Sequence, residues 1–228
     1  MSSSATSAQD TYNGIPVSAI LFKQPDDDAL VERISFRKVP WTLDIVESDP
    51  QWPQYFEVYR SRIMAAWTPP AGKDEKEATV LSVLHVGSTS VPGLPAKAII
   101  DIDLILSNNT LDYESYYVPR LEAAGFQYIL REPGWYEHRF FVASEPVHCN
   151  LHVFGPRCPE AERHIIFRDW LRGNSADREL YARTKMECAQ AATAKGETMD
   201  DYSDRKESVV REILARAYAA LGILVGDE

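Results

Sequence analysis

Apolar residues fall into two regimes along the chain. Residues 81–86 and 99–106 are short, nearly continuous apolar runs bounded by Gly, Pro and Ser, a pattern that predicts buried strands. Residues 126–130, 137–143 and 148–154 predict three further strands, and residues 43–47 a short β-type run where order should begin. Trp52, Phe56, Tyr59, Ile63 and Trp67 instead recur at spacings of three and four, one aromatic stripe on a helix opened by Asp49 and Pro50. That stripe is core packing. Residues 113–124 predict a second helix, which Gly125 ends. After Pro159 the period is helical, over residues 161–171, 178–194 and 205–221.

This order predicts an α+β protein: a mixed β-sheet with flanking helices at about residues 41–156, then a C-terminal helical lobe at about 159–222. The two parts form one domain over residues 41–224, with a cleft between them. Residues 1–14 carry Ser, Ala, Thr and Asn without periodicity, and an Asp run follows at 26–28, so residues 1–40 are expected to be a flexible N-terminal segment. Residues 73–77 read as a charged loop and 87–95 as a loop between two strands.

Chemistry concentrates around residue 100. In Ile99-Ile100-Asp101-Ile102-Asp103-Leu104, the period of two puts both carboxylates on one strand face and Ile100, Ile102 and Leu104 on the other. Aspartate is disfavoured in strands and costly to bury alone, so two on one face need a partner. Mg²⁺ is such a partner, because it takes one or two carboxylates together with substrate phosphates. Gly87 and Ser88 follow the preceding strand, where glycine lets the backbone approach a ligand and successive amides can cradle an anion. The hydroxyls of Ser88, Thr89 and Ser90 could add contacts.

Composition narrows the class of partner. The chain has 228 residues, 45% of them hydrophobic and 25% charged, as in an ordinary globular protein of one domain. Its formal charge of −10 argues against sequence-blind binding to nucleic acid or anionic membrane. Basic and acidic residues are about equal between Arg157 and Arg216, so the C-terminal third is the better wall for an anion. There Arg163, His164, Arg168, Lys185 and Lys206 are candidate phosphate partners, with Arg139 a further one. An odd count of three cysteines fits neither a disulfide framework nor a paired zinc motif, and no apolar run is long enough to span a membrane. A cytoplasmic location is expected. His148 and His152, four residues apart on a strand, stand about 13 Å apart, too far to share one Zn²⁺.

The run His85-Val86-Gly87-Ser88-Thr89-Ser90, continuing to Leu106, resembles the signature of the GrpB-like family within the nucleotidyltransferase superfamily. Asp49 to Trp52, Asn150 to Phe154, Phe167 to Leu171, and Tyr202 with Lys206 agree with that family's other motifs. The resemblance covers roughly residues 43–221. It implies a nucleotidyltransferase-like fold in which Gly87 and Ser88 hold a triphosphate and Asp101 and Asp103 bind Mg²⁺. Thr89, Arg168, Lys185 and Lys206 then fall among the candidate nucleotide- and phosphate-binding residues. The superfamily usually supplies a third carboxylate from a neighbouring strand, where this chain has Asn150 and His152. His152 is a candidate general base, and Glu137 a second. His85 reads first as a packed histidine.

Three functions follow. The first is Mg²⁺-dependent transfer of a nucleotidyl group from a nucleoside triphosphate to a small-molecule acceptor. The second is a nucleotide- or phosphate-metabolite-binding module without chemistry. The third reuses the scaffold for another small-molecule transfer or a cyclisation, with His152 and Glu137 as acid and base.

Overall fold

The computed structural model describes residues 10–22, 31–40, 43–68, 77–196 and 199–223. The Asp run at 26–28 and most of the expected charged loop at 73–77 lie outside the described residues. Two short strands, β1 (Thr11–Tyr12) and β2 (Ile15–Pro16), form a hairpin that leads into helix α1 (Val17–Leu21). Strand β3 (Glu32–Arg33) follows, then helix α2 (Trp52–Ala66) and strands β4 (Val80–Val86) and β5 (Ile99–Leu106). Helix α3 (Glu114–Ala123) precedes β6 (Gln127–Glu132), β7 (His138–Ala143) and β8 (His148–Phe154). Helices α4 (Pro159–Gly173), α5 (Ser175–Lys195) and α6 (Met199–Ala220) complete the chain.

Among the described residues, one six-stranded mixed sheet runs in the order β3-β6-β7-β8-β5-β4. β5 pairs parallel with β8 and antiparallel with β4. β5 is flanked on both sides, which suits its β-branched, almost wholly buried sequence. The strand alternation holds as expected. Ile100, Ile102 and Leu104 join Leu151, Val153 and Phe141 in a core closed by Trp52, Tyr59 and Ile63 of α2 and Tyr117 and Leu121 of α3. The opposite face carries Asp101 and Asp103, and the helical lobe meets the sheet there.

Helix ends follow the local sequence. Gly125 at φ 92° turns the chain out of α3, and the Phe126 amide returns to the Leu121 carbonyl at 3.0 Å. Asn174 caps α5 by accepting the Asp177 amide at 3.0 Å. In the lobe, Asp177 accepts from Trp170 Nε1 at 2.6 Å and from Arg216 Nη2 at 2.7 Å, tying α4, α5 and α6 together.

The N-terminal expectation needs correction. Structure begins well before Leu43: Ile15 and Ile20 pack with Ile166, Ala217, Tyr218 and Ile223, and β3 adds an edge strand to the main sheet. Arg163 is the cause. Its Nη1 donates to the carbonyls of Ala19, Ile20 and Phe22, satisfying groups that a one-turn helix leaves open. Residues 43–47 form no strand; Val46 makes a single bridge to Ala96. Glu137 lies in the turn before β7, at φ 52°, and not in a strand. Among the described residues, no helix is long and apolar enough to cross a membrane.

Candidate functional site

Because β4 and β5 are antiparallel, the chain leaves Val86 beside Asp101 and turns at Gly87 over that carboxylate. Gly87 sits at φ 66°, ψ −172°, and a Cβ there would stand 2.3 Å from Asp101 Oδ2. Only glycine permits this approach. Gly87→Ala is expected to cost about 1–3 kcal/mol from backbone strain alone, with displacement of Asp101 added. A thermal melt indistinguishable from that of the parent chain would show that the turn does not close on Asp101.

Ser88 to Ser90 form one turn of 3₁₀ helix. The Ser88 side chain meets the Tyr181 hydroxyl and faces a cavity of about 1040 Å³ between the sheet and the lobe. Thr89 does not reach that cavity. Its hydroxyl donates to the Ile99 carbonyl at 3.0 Å and contacts His85 Nε2 at 3.0 Å. Ser90 likewise bonds the Gly87 carbonyl, at 2.5 Å. Both hydroxyls fix the turn, a correction to their expected role as ligand contacts. His85 stacks on Phe56, with ring centroids 4.9 Å apart, and burial pushes it down to about 4, as befits a packed histidine.

Asp101 and Asp103 separate in role. Asp101 lies at the cavity wall and accepts from Asn150 Nδ2 at 2.8 Å, while Asn150 Oδ1 accepts from Arg37 at 3.1 Å. Burial raises the Asp101 carboxyl against the opposing pull of Asn150 and Lys97. Asp103 is completely buried, and its Oδ2 meets His164 Nδ1 at 2.8 Å. Its Oδ1 is buried without a partner among the described residues. His164 Nε2 stands 3.5 Å from Glu160 one turn earlier on α4. Burial opposes charge on His164, but Asp103 and Glu160 outweigh it and hold the imidazole well above its ordinary value. The His164 imidazolium thus covers Oδ2 of Asp103.

Three ammonium groups converge on the cavity. Lys97 precedes β5, Lys185 is on α5 and Lys206 on α6. Lys97 Nζ lies 4.9 Å and Lys206 Nζ 4.4 Å from the centroid of the Tyr202 ring, and Lys185 Nζ lies 4.9 Å from that of Tyr181. Lys185 donates to the Pro95 carbonyl and Lys206 to Ser203 Oγ at 3.4 Å, both neutral acceptors. Burial, then the neighbouring Lys206 and Lys97, bring Lys185 down to about 7. Burial and Lys97 bring Lys206 to about 8. Burial also lowers Lys97.

The other basic candidates are engaged by groups of the protein. Arg168 borders the cavity but is engaged by Asp169 at 2.7 Å and by the His85 carbonyl at 3.0 Å. Arg163 is committed to Glu160, Tyr136 and the end of α1. Arg139 and Glu137 are not brought to Asp101. Arg139 is fully buried between Glu114, at 2.8 Å, and Glu137, at 2.8 Å, an internal ion network joining β7 to α3. Neither lines the cavity beside Asp101, and each is engaged in this internal network instead.

His152 faces the same side as Asp103, its partner across the parallel pair. Its Nδ1 lies 3.0 Å from His138 Nε2, and His138 Nδ1 lies 2.6 Å from Glu132 Oε2. Burial brings both histidines down to about 3, so they are neutral. Glu132, His138 and Lys97 were missed in the sequence. Lys97 stands within the run around Asp101, but a lysine ahead of a strand has no spacing signature. His138 is found only once the register of β7 against β8 is known.

The sheet, its Gly87 turn and the lobe define an α+β protein with a lysine-lined cleft over Asp101. The chain belongs to the GrpB family, described as GrpB protein, which matches residues 42–216. It is 42% identical over 178 residues to a UPF0157 protein of Halalkalibacterium halodurans, covering 78% of this chain and 84% of that one. A UPF0157 protein of Pseudomonas aeruginosa is 36% identical over 181 residues, 78% of this chain and 69% of that one. The crystal structure of GrpB from Enterococcus faecalis superposes with a TM-score of 0.61 at 24% identity, over 78% of this chain and 99% of that chain, a likeness of fold.

Proposed function

We infer that the cleft binds the phosphates of a nucleoside triphosphate, supplied with Mg²⁺, and that the chain transfers a nucleotidyl group to a small-molecule acceptor as a member of the nucleotidyltransferase superfamily. The supporting observation is the convergence of Lys97, Lys185 and Lys206 beside the Gly87–Ser88 turn and Asp101. Lys185 is buried and Lys97 and Lys206 are half-buried, and the charges of Lys206 and Lys97 add to burial in lowering Lys185, an arrangement that an incoming anion relieves. A polyphosphate supplies several negative oxygens at once.

Among the described residues, no group of three or more His, Cys, Asp and Glu forms a metal cage. Asp101 suits an ion that arrives on the phosphates, because Mg²⁺ is commonly held by one or two carboxylates plus substrate oxygens. Bound there, Mg²⁺ would offset charge on the phosphoryl oxygens during displacement. The lysines hold the leaving phosphates, Ser88 and Gly87 shape the turn beneath them, and Asp101 orients the reacting end.

Calorimetric titration of ATP, GTP, CTP and UTP, with and without Mg²⁺, tests this reading. Binding should take up protons at pH 8, because Lys185 and Lys206 are partly neutral in the free chain and charge when phosphate arrives. Affinity should therefore fall from pH 7 to pH 9, and Asp101→Asn should remove most of the Mg²⁺ dependence. No binding of any triphosphate would sink the proposal. One observation favours a binding module without chemistry: Asp103 is sealed beneath His164, leaving half-buried Asp101 as the member of the pair that lines the cavity. Pyrophosphate release with an acceptor present would reject that second reading.

A further inference from the structure

A second cavity, of about 420 Å³, opens on the other side of Asp101. It shares Gly87, Asp101 and His164 with the larger one, so ligands in the two would meet at Asp101. Its walls differ in character. Leu130, Trp135 and Phe140 provide apolar surface, and Glu132 and Asp101 put carboxylates where the larger cavity has lysines. Among the described residues no lysine lines this cavity, so it lacks the cations that hold a polyphosphate.

Two polar features lack partners suited to a dry wall. Trp135 lines the cavity, and its indole Nε1 is buried with no acceptor among the described residues. The second is the chain of hydrogen bonds through His138. Glu132 accepts from His138 Nδ1, which leaves Nε2 of a neutral His138 to accept from His152 Nδ1. His152 then presents the lone pair of its Nε2, the ring nitrogen that this chain leaves over.

The geometry points to this cavity as the acceptor subsite: it takes a neutral small molecule with one nucleophilic hydroxyl for His152 Nε2 and a second oxygen for Trp135 Nε1, carried on an apolar body. The inference rests on the nucleotidyl reading only for what the hydroxyl attacks. In that step the hydroxyl oxygen forms a bond to the α-phosphorus and the bond from the α-phosphorus to the β-bridging oxygen breaks. Pyrophosphate leaves with the bonding pair, and the hydroxyl proton passes to His152 Nε2. His152 Nδ1 hands its proton to His138 Nε2, and His138 Nδ1 hands its own to Glu132. Glu132 and His138 act as positioning residues, since they fix which nitrogen of His152 is open.

The probe is 2-phenoxyethanol, which carries a hydroxyl, an ether oxygen and an apolar ring; ethoxybenzene, without the hydroxyl, is the control. With ¹⁵N-histidine label in the full chain, 2-phenoxyethanol should shift the His138 and His152 resonances and ethoxybenzene should leave them in place. Trp135→Phe should weaken binding of the probe about tenfold, and Leu130→Trp, which fills the cavity, should abolish it. Both variants should bind MgATP within about twofold of the parent chain. Unmoved His138 and His152 resonances, or full probe affinity in Trp135→Phe, overturn the subsite. If the probe binds as expected while no triphosphate binds, the subsite stands and the nucleotidyl reading falls.

Discussion

Replacing Lys185 with methionine should stabilise the ligand-free chain and weaken triphosphate binding about a hundredfold. Lys185 is 2% exposed, and its fully buried setting lowers it to about 7. A base lowered in the folded state binds fewer protons there than in the unfolded chain, where an ordinary lysine titrates near 10.4. Its destabilising contribution is therefore complete below pH 7 and fades as pH rises toward the unfolded value. Methionine keeps the unbranched shape without the charge, but leaves the Pro95 carbonyl without its donor. A net gain of about 1–3 kcal/mol at pH 6 is the expected balance, in the range seen when buried ionic groups are replaced by apolar ones. For a chain of this size that is a rise in Tm of several degrees, and it should shrink by pH 9. Removing one charge-assisted phosphate contact should weaken MgATP about a hundredfold, or roughly 3 kcal/mol. Opposite signs in stability and binding mark a residue kept for its ligand. Loss of stability at every pH with affinity unchanged would make Lys185 structural.

The parts of this site that could be read from sequence are those carried by local periodicity. Alternation along β5 separates Asp101 and Asp103 from Ile100, Ile102 and Leu104, and the structure keeps that separation because one face meets α2 and the other meets α4. Gly87 stands out because it follows a strand and precedes another. The helices of the lobe, each with apolar residues at helical spacing, fall within three residues of their expected ends, except that α6 begins six residues earlier. What escapes is whatever depends on elements far apart in the chain. Lys97, Lys185 and Lys206 come from a loop and two helices, and nothing local says that their ammonium groups share a cavity.

The same limit explains the residues read incorrectly. Arg139 looks like a strand arginine free to meet a phosphate, but alternation turns it inward and Glu114 of α3 waits there. Two-residue strands have no period to detect, so the hairpin of β1 and β2 is invisible until Arg163 and the contacts of Ile15 and Ile20 are seen. His164, whose charge suggests a phosphate partner, directs that charge to a carboxylate of the sheet.

That pairing makes His164→Ala the most damaging single change. Asp103 has no exposure, and His164 is the hydrogen-bond partner of its Oδ2, so the substitution leaves a buried carboxylate with neither oxygen satisfied among the described residues. Breaking one side of a buried pair costs about 3–5 kcal/mol, enough to lower Tm by roughly 10 °C in a chain of this length. The pH dependence follows from direction. His164 is held well above its ordinary value, so its contribution is complete below about pH 6.5 and is lost as pH rises through the folded-state value. Asp103→Asn in the His164→Ala background should recover part of the loss, with a coupling of at least about 1 kcal/mol in the double-mutant cycle. Mg²⁺ distinguishes the alternative in which Asp103 is a metal ligand merely covered by His164. If it is, removing the imidazolium frees the site, and millimolar Mg²⁺ should raise the Tm of His164→Ala well beyond any effect on the parent. An equal response in both chains leaves Asp103 as the anchor of α4, with Asp101 alone facing the ligand.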